Sequence, residues 1–168
     1  DAIQSNAQTL NMFALSADNS IVVTSKGGAI INAGSGNDTI VGGIGNDILA
    51  GGSGKDRLTG GKGNDLFTLS KADFDFTSAN TVLADTITDF KYTATEKDSI
   101  SLEGFGNVAV FQTLAAAKKA GSTANVIYES KTGNFFYNED GDSALVGALL
   151  FANAKGIPDT YWVAAGVM

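Results

Sequence analysis

Residues 33–68 read AGSGNDTIV (33–41), GGIGNDILA (42–50), GGSGKDRLT (51–59) and GGKGNDLFT (60–68), four nonapeptides that follow one another without a gap. Asp recurs at 38, 47, 56 and 65, and Gly recurs at 34, 43, 52 and 61 and again at 36, 45, 54 and 63. An apolar column, Ile40, Leu49, Leu58 and Phe67, keeps the same step; counting by nine extends it back to Ile31, Val22 and Phe13 and forward to Phe76. Glycines at such positions serve a backbone that needs positive φ or must approach another segment closely, so each GGxGxD is a tight loop. The three residues after it, centred on a β-branched or large apolar side chain, make a short strand. One loop and one strand carry the chain through half a coil. Two nonapeptides, 18 residues, therefore complete one turn of a parallel β-roll, and loops two repeats apart stack at the strand spacing of about 4.8 Å. Asp38 then lies over Asp56, and Asp47 over Asp65. A flexible glycine-rich linker would not keep the apolar column.

Stacked carboxylates repel by on the order of 1 kcal/mol per pair in water, and by more when desolvated, unless a cation lies between them. Calcium suits the gap, because it takes about six to eight oxygens at roughly 2.3–2.6 Å in a tolerant geometry. Two Asp carboxylates and the backbone carbonyls of the glycine loops supply such a set. Magnesium is too small and too strict about its octahedron for a carbonyl cage.

Working outward, residues 11–32 read as coils of the same roll that have lost the metal loop. LSADNSIVV (15–23) and TSKGGAIIN (24–32) keep Val22 and Ile31 in the nine-residue register but place Ser20 and Ala29 where Asp would be. Asp18 reads as a solvent-facing loop acid. Beyond residue 69 the period fades. LADTITDF (83–90) and KDSISLEGF (97–105) read as two paired strands with apolar positions Ile87, Phe90, Ile100 and Leu102. FQTLAAAKKAG (111–121) predicts a short helix with a glycine stop, its Lys118 and Lys119 on a solvated face. NVIYESKTGNFFYNEDG (125–141) predicts a hairpin turning at Lys131, Thr132 and Gly133, and NEDGD (138–142) a turn rather than a calcium loop, since it lacks the closing Glu. Tyr128, Phe135, Phe136, Tyr137, Tyr161 and Trp162 are expected in the core.

Composition narrows the chemistry. Among 168 residues there is no His and no Cys, which removes Ser-His-Asp and Cys-His catalysis, His-ligated zinc or haem, thiolate metal sites and disulfides. With 18 acidic against 11 basic side chains, a net charge of −7, nucleic acid is a poor partner and a hard cation a good one. No transmembrane segment is present as an apolar run of about 18 residues, and no signal-peptide pattern opens the chain. A chain that starts at Asp1 is expected to be a processed product or one domain of something longer. Catalysis by Glu129 and Glu139 is not expected, because they fall on opposite arms of the predicted hairpin with no cleft implied.

The four repeats resemble GGxGxDxUx, the nonapeptide of the repeats-in-toxin (RTX) proteins, apart from Ala33 in place of the first glycine. The resemblance implies a fold that is mostly all-β, a right-handed parallel β-roll with calcium-binding nonapeptide repeats, capped by a β-rich C-terminal segment with a short helix. The roll is expected over 1–76 (degenerate coils 11–32, calcium repeats 33–68), and the cap with a secretion-signal region over 77–168. Residues 83–105 are similar to the segment that follows the roll in serralysin-type proteases and mannuronan epimerase R-modules, where it closes the open end. The family often completes its terminal ion site with an acid after the roll. Asp85 is the expected ligand, with Asp89 and Asp98 weaker candidates and turn hydrogen bonding the alternative for all three. The expected metal set is Asp38, Asp47, Asp56, Asp65 and Asp85 with Gly34, Gly36, Gly43, Gly45, Gly52, Gly54, Gly61 and Gly63. The tail at 157–168 is weakly similar to uncleaved C-terminal secretion signals. The implied protein is a non-enzymatic module, bacterial, secreted and extracellular, whose partners are calcium ions and the type I secretion apparatus. An adhesin or polysaccharide-binding module using the roll face is the alternative, for which only Lys55, Arg57 and Lys62 offer a basic stripe within the repeats; an autonomous enzyme is the remaining one.

Overall fold

The computed structural model describes residues 2–5, 10–13, 16–24, 26–74, 85–111, 116, 124–138, 149–155 and 157–158. The strands of the first half are β1 (Ala2–Ser5), β2 (Leu10–Met12), β3 (Ser20–Val23), β4 (Ala29–Ser35), β5 (Thr39–Ile44), β6 (Ile48–Ser53), β7 (Arg57–Lys62) and β8 (Leu66–Ser70). Odd and even strands go to different sheets, and every pairing among them is parallel: β1, β3, β5 and β7 in one, β2, β4, β6 and β8 in the other. This is the β-roll that the nine-residue period demands, with one strand per nonapeptide and each sheet advancing by one strand every coil.

Side-chain alternation explains why the roll holds. Within a strand only every second residue points inward, and the inward series Ile21, Ile40, Leu58 and Ile87 of one sheet meets Ile31, Leu49 and Phe67 of the other in one core. All but Ile31 and Ile87 are wholly buried, and those two nearly so. Each such burial stabilises by about 1.5–3 kcal/mol.

The register slips by one residue at the N-terminal end, which corrects two members of the predicted column. Ile21, not Val22, pairs with Ile40, and Met12, not Phe13, pairs with Ile31. Phe13 is 62% exposed. Ile21 and Ile31 are ten residues apart, where each step from Ile31 to Phe67 is nine, so one extra residue sits in the turn between β3 and β4. A period of two makes a one-residue shift fatal to the assignment of faces.

After β8, a 3₁₀ turn (Lys71–Asp73) leads away. Strands β9 (Asp85–Ile87) and β10 (Ser99–Glu103) do not pair with one another, contrary to the sequence reading: β9 adds in parallel to β7, and β10 in parallel to β8. They carry each sheet one strand further, with Ile87 beside Leu58 and Ile100 beside Phe67, because both segments repeat the apolar pattern of the coil they follow. Strands β11 (Val108–Phe111), β12 (Val126–Glu129), β13 (Asn134–Tyr137) and β14 (Leu149–Ala154) extend the first sheet in the order β9-β14-β13-β12-β11. Strand β14 covers the edge of β9, which would otherwise offer unpaired backbone groups for association. Strands β12 and β13 form the expected antiparallel hairpin, turning over 130–133 with Gly133 at φ 83°.

Tyr128, Phe135 and Tyr137 are buried, as expected of core aromatics, while Phe136 is half-buried. Phe105 meets Tyr137 edge-on at 5.4 Å and tilts against Phe74 at 6.3 Å, and the Lys71 ammonium lies 4.7 Å over the Tyr137 ring. These contacts join the end of the roll to the hairpin. The expected helix over 111–121, with Lys118 and Lys119, lies outside the described residues except for Phe111, which ends β11, and Ala116, which is helical. Phe76, Glu139 and the rest of the 139–142 turn, Tyr161, Trp162 and the tail from 159 also lie outside them. Among the described residues no helix is long and apolar enough to cross a membrane.

Candidate metal centre

The glycines at the second and fourth positions of every repeat, Gly34, Gly36, Gly43, Gly45, Gly52, Gly54, Gly61 and Gly63, all have positive φ, between 96° and 139°. At Gly54 a side chain is excluded twice over, because a Cβ there would also overlap the carbonyl oxygen of Gly36 in the loop one coil above. The loops are thus shaped to stack on each other, and each coil delivers its aspartate to the same place.

Two ladders of carboxylates result. In the first, Oδ1 of Asp38 accepts the N–H of Asn19 (2.7 Å), Oδ1 of Asp56 that of Asp38 (2.8 Å), and Oδ1 of Asp85 that of Asp56 (2.9 Å). In the second, Oδ1 of Asp47 accepts the N–H of Ala29 (2.7 Å), Oδ1 of Asp65 that of Asp47 (2.9 Å), and Oδ1 of Asp98 that of Asp65 (3.0 Å). The stacking of Asp38 with Asp56 and of Asp47 with Asp65 is the one that the 18-residue coil requires. Asp85 stands at the end of the first ladder, and Asp98 at the end of the second.

The second carboxylate oxygens carry the chemistry. Oδ2 of Asp38, Asp47, Asp56 and Asp65 is buried with no hydrogen-bond partner, an arrangement that costs several kcal/mol for an ionised group unless a positive charge answers it. First-position glycines make room for these atoms. A Cβ on Gly42 would strike Oδ2 of Asp47 and come within 2.8 Å of the Gly60 carbonyl oxygen, so carboxylate and carbonyl oxygens converge on that space. Gly51 and Gly60 leave the same room for Oδ2 of Asp56 and Asp65. Burial pushes the carboxyl groups of Asp56 and Asp65 up to about 6; one backbone hydrogen bond to each works against the rise, and the neighbouring carboxylates add to it. Asp47 is raised by burial as well. Asp85 is pushed up to about 8, mainly by burial and further by the charges of Asp56 and Asp73. Among the described residues no three acidic side chains gather into one metal-holding cluster. The available donors are pairs of carboxylates with loop carbonyls, an all-oxygen set that fits a calcium ion.

Several contributors lie outside the repeat pattern. Asn19, not Ser20, occupies the aspartate position one coil above Asp38, because of the same one-residue slip. The loop around it keeps the metal-loop shape: Ala17 has φ 79° where later coils have glycine, and Gly36 packs on its carbonyl. Ala29 does stand at the position of Asp47, as expected. Asp18 is exposed, and its carboxylate accepts the N–H of Asn37 (2.7 Å). Fifth-position side chains continue this pattern: Asn37 accepts from the Lys55 N–H (3.0 Å), Asn46 from that of Asn64 (2.9 Å) and Asn64 from that of Lys97 (2.7 Å). Asp89 accepts the N–H groups of Gly60 and Gly61, both at 2.9 Å. The recurring Asn at 37, 46 and 64 is the sequence signal for this outer ladder.

The basic residues of the repeats do not form a stripe along a sheet. Arg57 lies between Thr39 and Thr86 on neighbouring strands, and Lys62 is beside Ile44.

Residues 30–67 match the family model of the RTX calcium-binding nonapeptide repeat, in four copies. Comparison with curated proteins and with solved structures found no match. The chain carries an RTX module, and such repeats bind calcium.

Proposed function

We propose that this module folds on extracellular calcium and thereby supports the type I secretion and folding of a domain that precedes it. The observation that carries the reading is the set of four buried Oδ2 atoms without a partner. Asp38 and Asp56 hold one ion between their loops and Asp47 and Asp65 another, with carbonyls of the repeat glycines, Gly34 to Gly63, as further donors and Asp85 at the end of its ladder. When bound, calcium supplies the positive charge that the stacked carboxylates lack. Without it their mutual repulsion and desolvation oppose the closed coil, so in a calcium-poor cytoplasm the repeats stay open and exportable. Millimolar calcium outside the cell reverses that balance by mass action. This role is non-catalytic.

Circular dichroism of the full chain tests it. The β signal should be weak in chelator and appear with a few millimolar calcium, while the same concentration of magnesium should not replace it. An unchanged β signal in chelator would sink the proposal.

A further inference from the structure

We propose that the ε-ammonium of Lys91 is a built-in cation, closing the Asp47–Asp65 ladder at the last coil where a further ion would otherwise be required. The inference rests on the calcium reading of the repeats. Along this stack each glycine loop leans on the one before it: a Cβ on Gly61 would overlap the Gly43 carbonyl oxygen, and one on Gly63 that of Gly45. No further repeat follows Gly61 and Gly63 in the sequence. Instead the segment around Lys91 reaches the loop, and the Lys91 ammonium donates to the Gly61 carbonyl at 2.7 Å.

The acids of this last coil are used differently from those of the repeats. Asp98 takes the Asp65 N–H on Oδ1 (3.0 Å) and the Lys91 N–H on Oδ2 (2.7 Å), so backbone donors satisfy both of its oxygens. Asp89 likewise binds Gly60 with one oxygen and Gly61 with the other. Glu96 lies 3.3 Å from the ammonium. A loop carbonyl and a carboxylate thus hold a group with three donors and no acceptor, which needs no fixed coordination geometry. In the inner coils the Oδ2 atoms of Asp47 and Asp65 have no such internal partner.

The test uses the full chain with Lys91→Met, which keeps the stem and removes the charge, and Lys91→Arg, which keeps the charge. Ions bound per chain are counted by equilibrium dialysis with radioactive calcium, and the folding midpoint is read by circular dichroism. Lys91→Met should bind one ion more than the parent at saturation. Its midpoint should rise about two- to fivefold, the loss of one charged hydrogen bond spread over a few ions. Lys91→Arg should match the parent in ion count. An unchanged count in Lys91→Met overturns the inference, whatever its midpoint, because Lys91 is then only a tether. Failure of Lys91→Met to fold at any calcium concentration overturns it too, since calcium must be able to refill the vacated place. A gain of an ion in Lys91→Arg overturns the argument from charge. A parent chain that binds no calcium refutes the underlying reading instead.

Discussion

The two carboxylate ladders share one core and the same backbone-to-carboxylate rungs, yet they end on different chemistry. The first ends on Asp85, 2% exposed, whose carboxyl group is pushed up to about 8. The second ends on Asp98, 3% exposed, where Lys91 supplies both an N–H to the carboxylate and a positive charge that offsets part of the rise caused by burial. Burial raises both ends, but at Asp98 the backbone N–H groups of Asp65 and Lys91 and the Lys91 charge work against the rise, while at Asp85 only the Asp56 N–H does and the charges of Asp56 and Asp73 add to it. The difference teaches that the end of a stack of like charges can be eased by nearby donors and a cation, or left to a proton when no metal is bound.

The largest effects should come from the inner rungs. Removing Asp47 or Asp65 takes away a carboxylate and strands the other in the same stack, a loss on the order of 3–5 kcal/mol in the calcium-bound fold. If the ladders are separate, Asp47→Ala with Asp65→Ala should couple by about 1–3 kcal/mol, and Asp47→Ala with Asp56→Ala by much less. Calorimetric calcium titration of the singles and both doubles measures this. Stronger coupling across the ladders than within one would dismantle the comparison.

Titration should separate the ends next. A carboxyl group whose folded pKa lies above its unfolded value gives the metal-free fold a contribution that is fully present below the unfolded value, about 4, and is lost as pH rises through the folded pKa. In chelator, therefore, β structure should increase as pH falls from about 9 towards 5, first through Asp85, whose folded value is about 8, then through Asp56 and Asp65, at about 6. Asp85→Asn should remove the part of this increase between about pH 9 and 7 and leave the part near 6, whereas Asp98→Asn should leave the upper part intact. Circular dichroism in chelator across this range reads it, and an unchanged upper part in Asp85→Asn would place the upper titration elsewhere.

Much of this was legible because the repeat couples two patterns that a random chain would not keep in step. Gly and Asp every nine residues specify the loops, and Ile40, Leu49, Leu58 and Phe67 specify which face of each strand is inside. The register before residue 30 was not legible, since Val22 and Ile21 are both apolar and only the extra residue in the following turn decides which points inward. Asn19 was hidden by the same slip. Lys91 was invisible for another reason: its contact with Gly61 spans 30 positions, outside any local pattern. Asp98 and Asp85 lie 33 and 29 residues from their partners, where the repeats keep 18.

The smallest effect should lie in the outer Asn ladder, where the comparison between the two stacks can be sharpened. Asn37 is exposed and accepts from Lys55 at 3.0 Å; Asn64 is exposed and accepts from Lys97 at 2.7 Å, at the coil that Lys91 and Asp98 already secure. Each bond contributes about 0.5–1.5 kcal/mol net. Asn37→Ala should raise the calcium midpoint modestly, because the loop carrying Lys55 and Asp56 loses its outer tie. Asn64→Ala should raise it less, since the Asp98 N–H still bonds the Lys91 carbonyl at 2.8 Å and the Ser99 N–H that of Asp65 at 2.8 Å. Asn37→Asp keeps the acceptor and should recover most of the loss. Chelator-competition titrations resolve such differences, and an Asn64→Ala shift larger than that of Asn37→Ala would mean that the last coil depends on its outer loop rather than on the lysine-closed ladder.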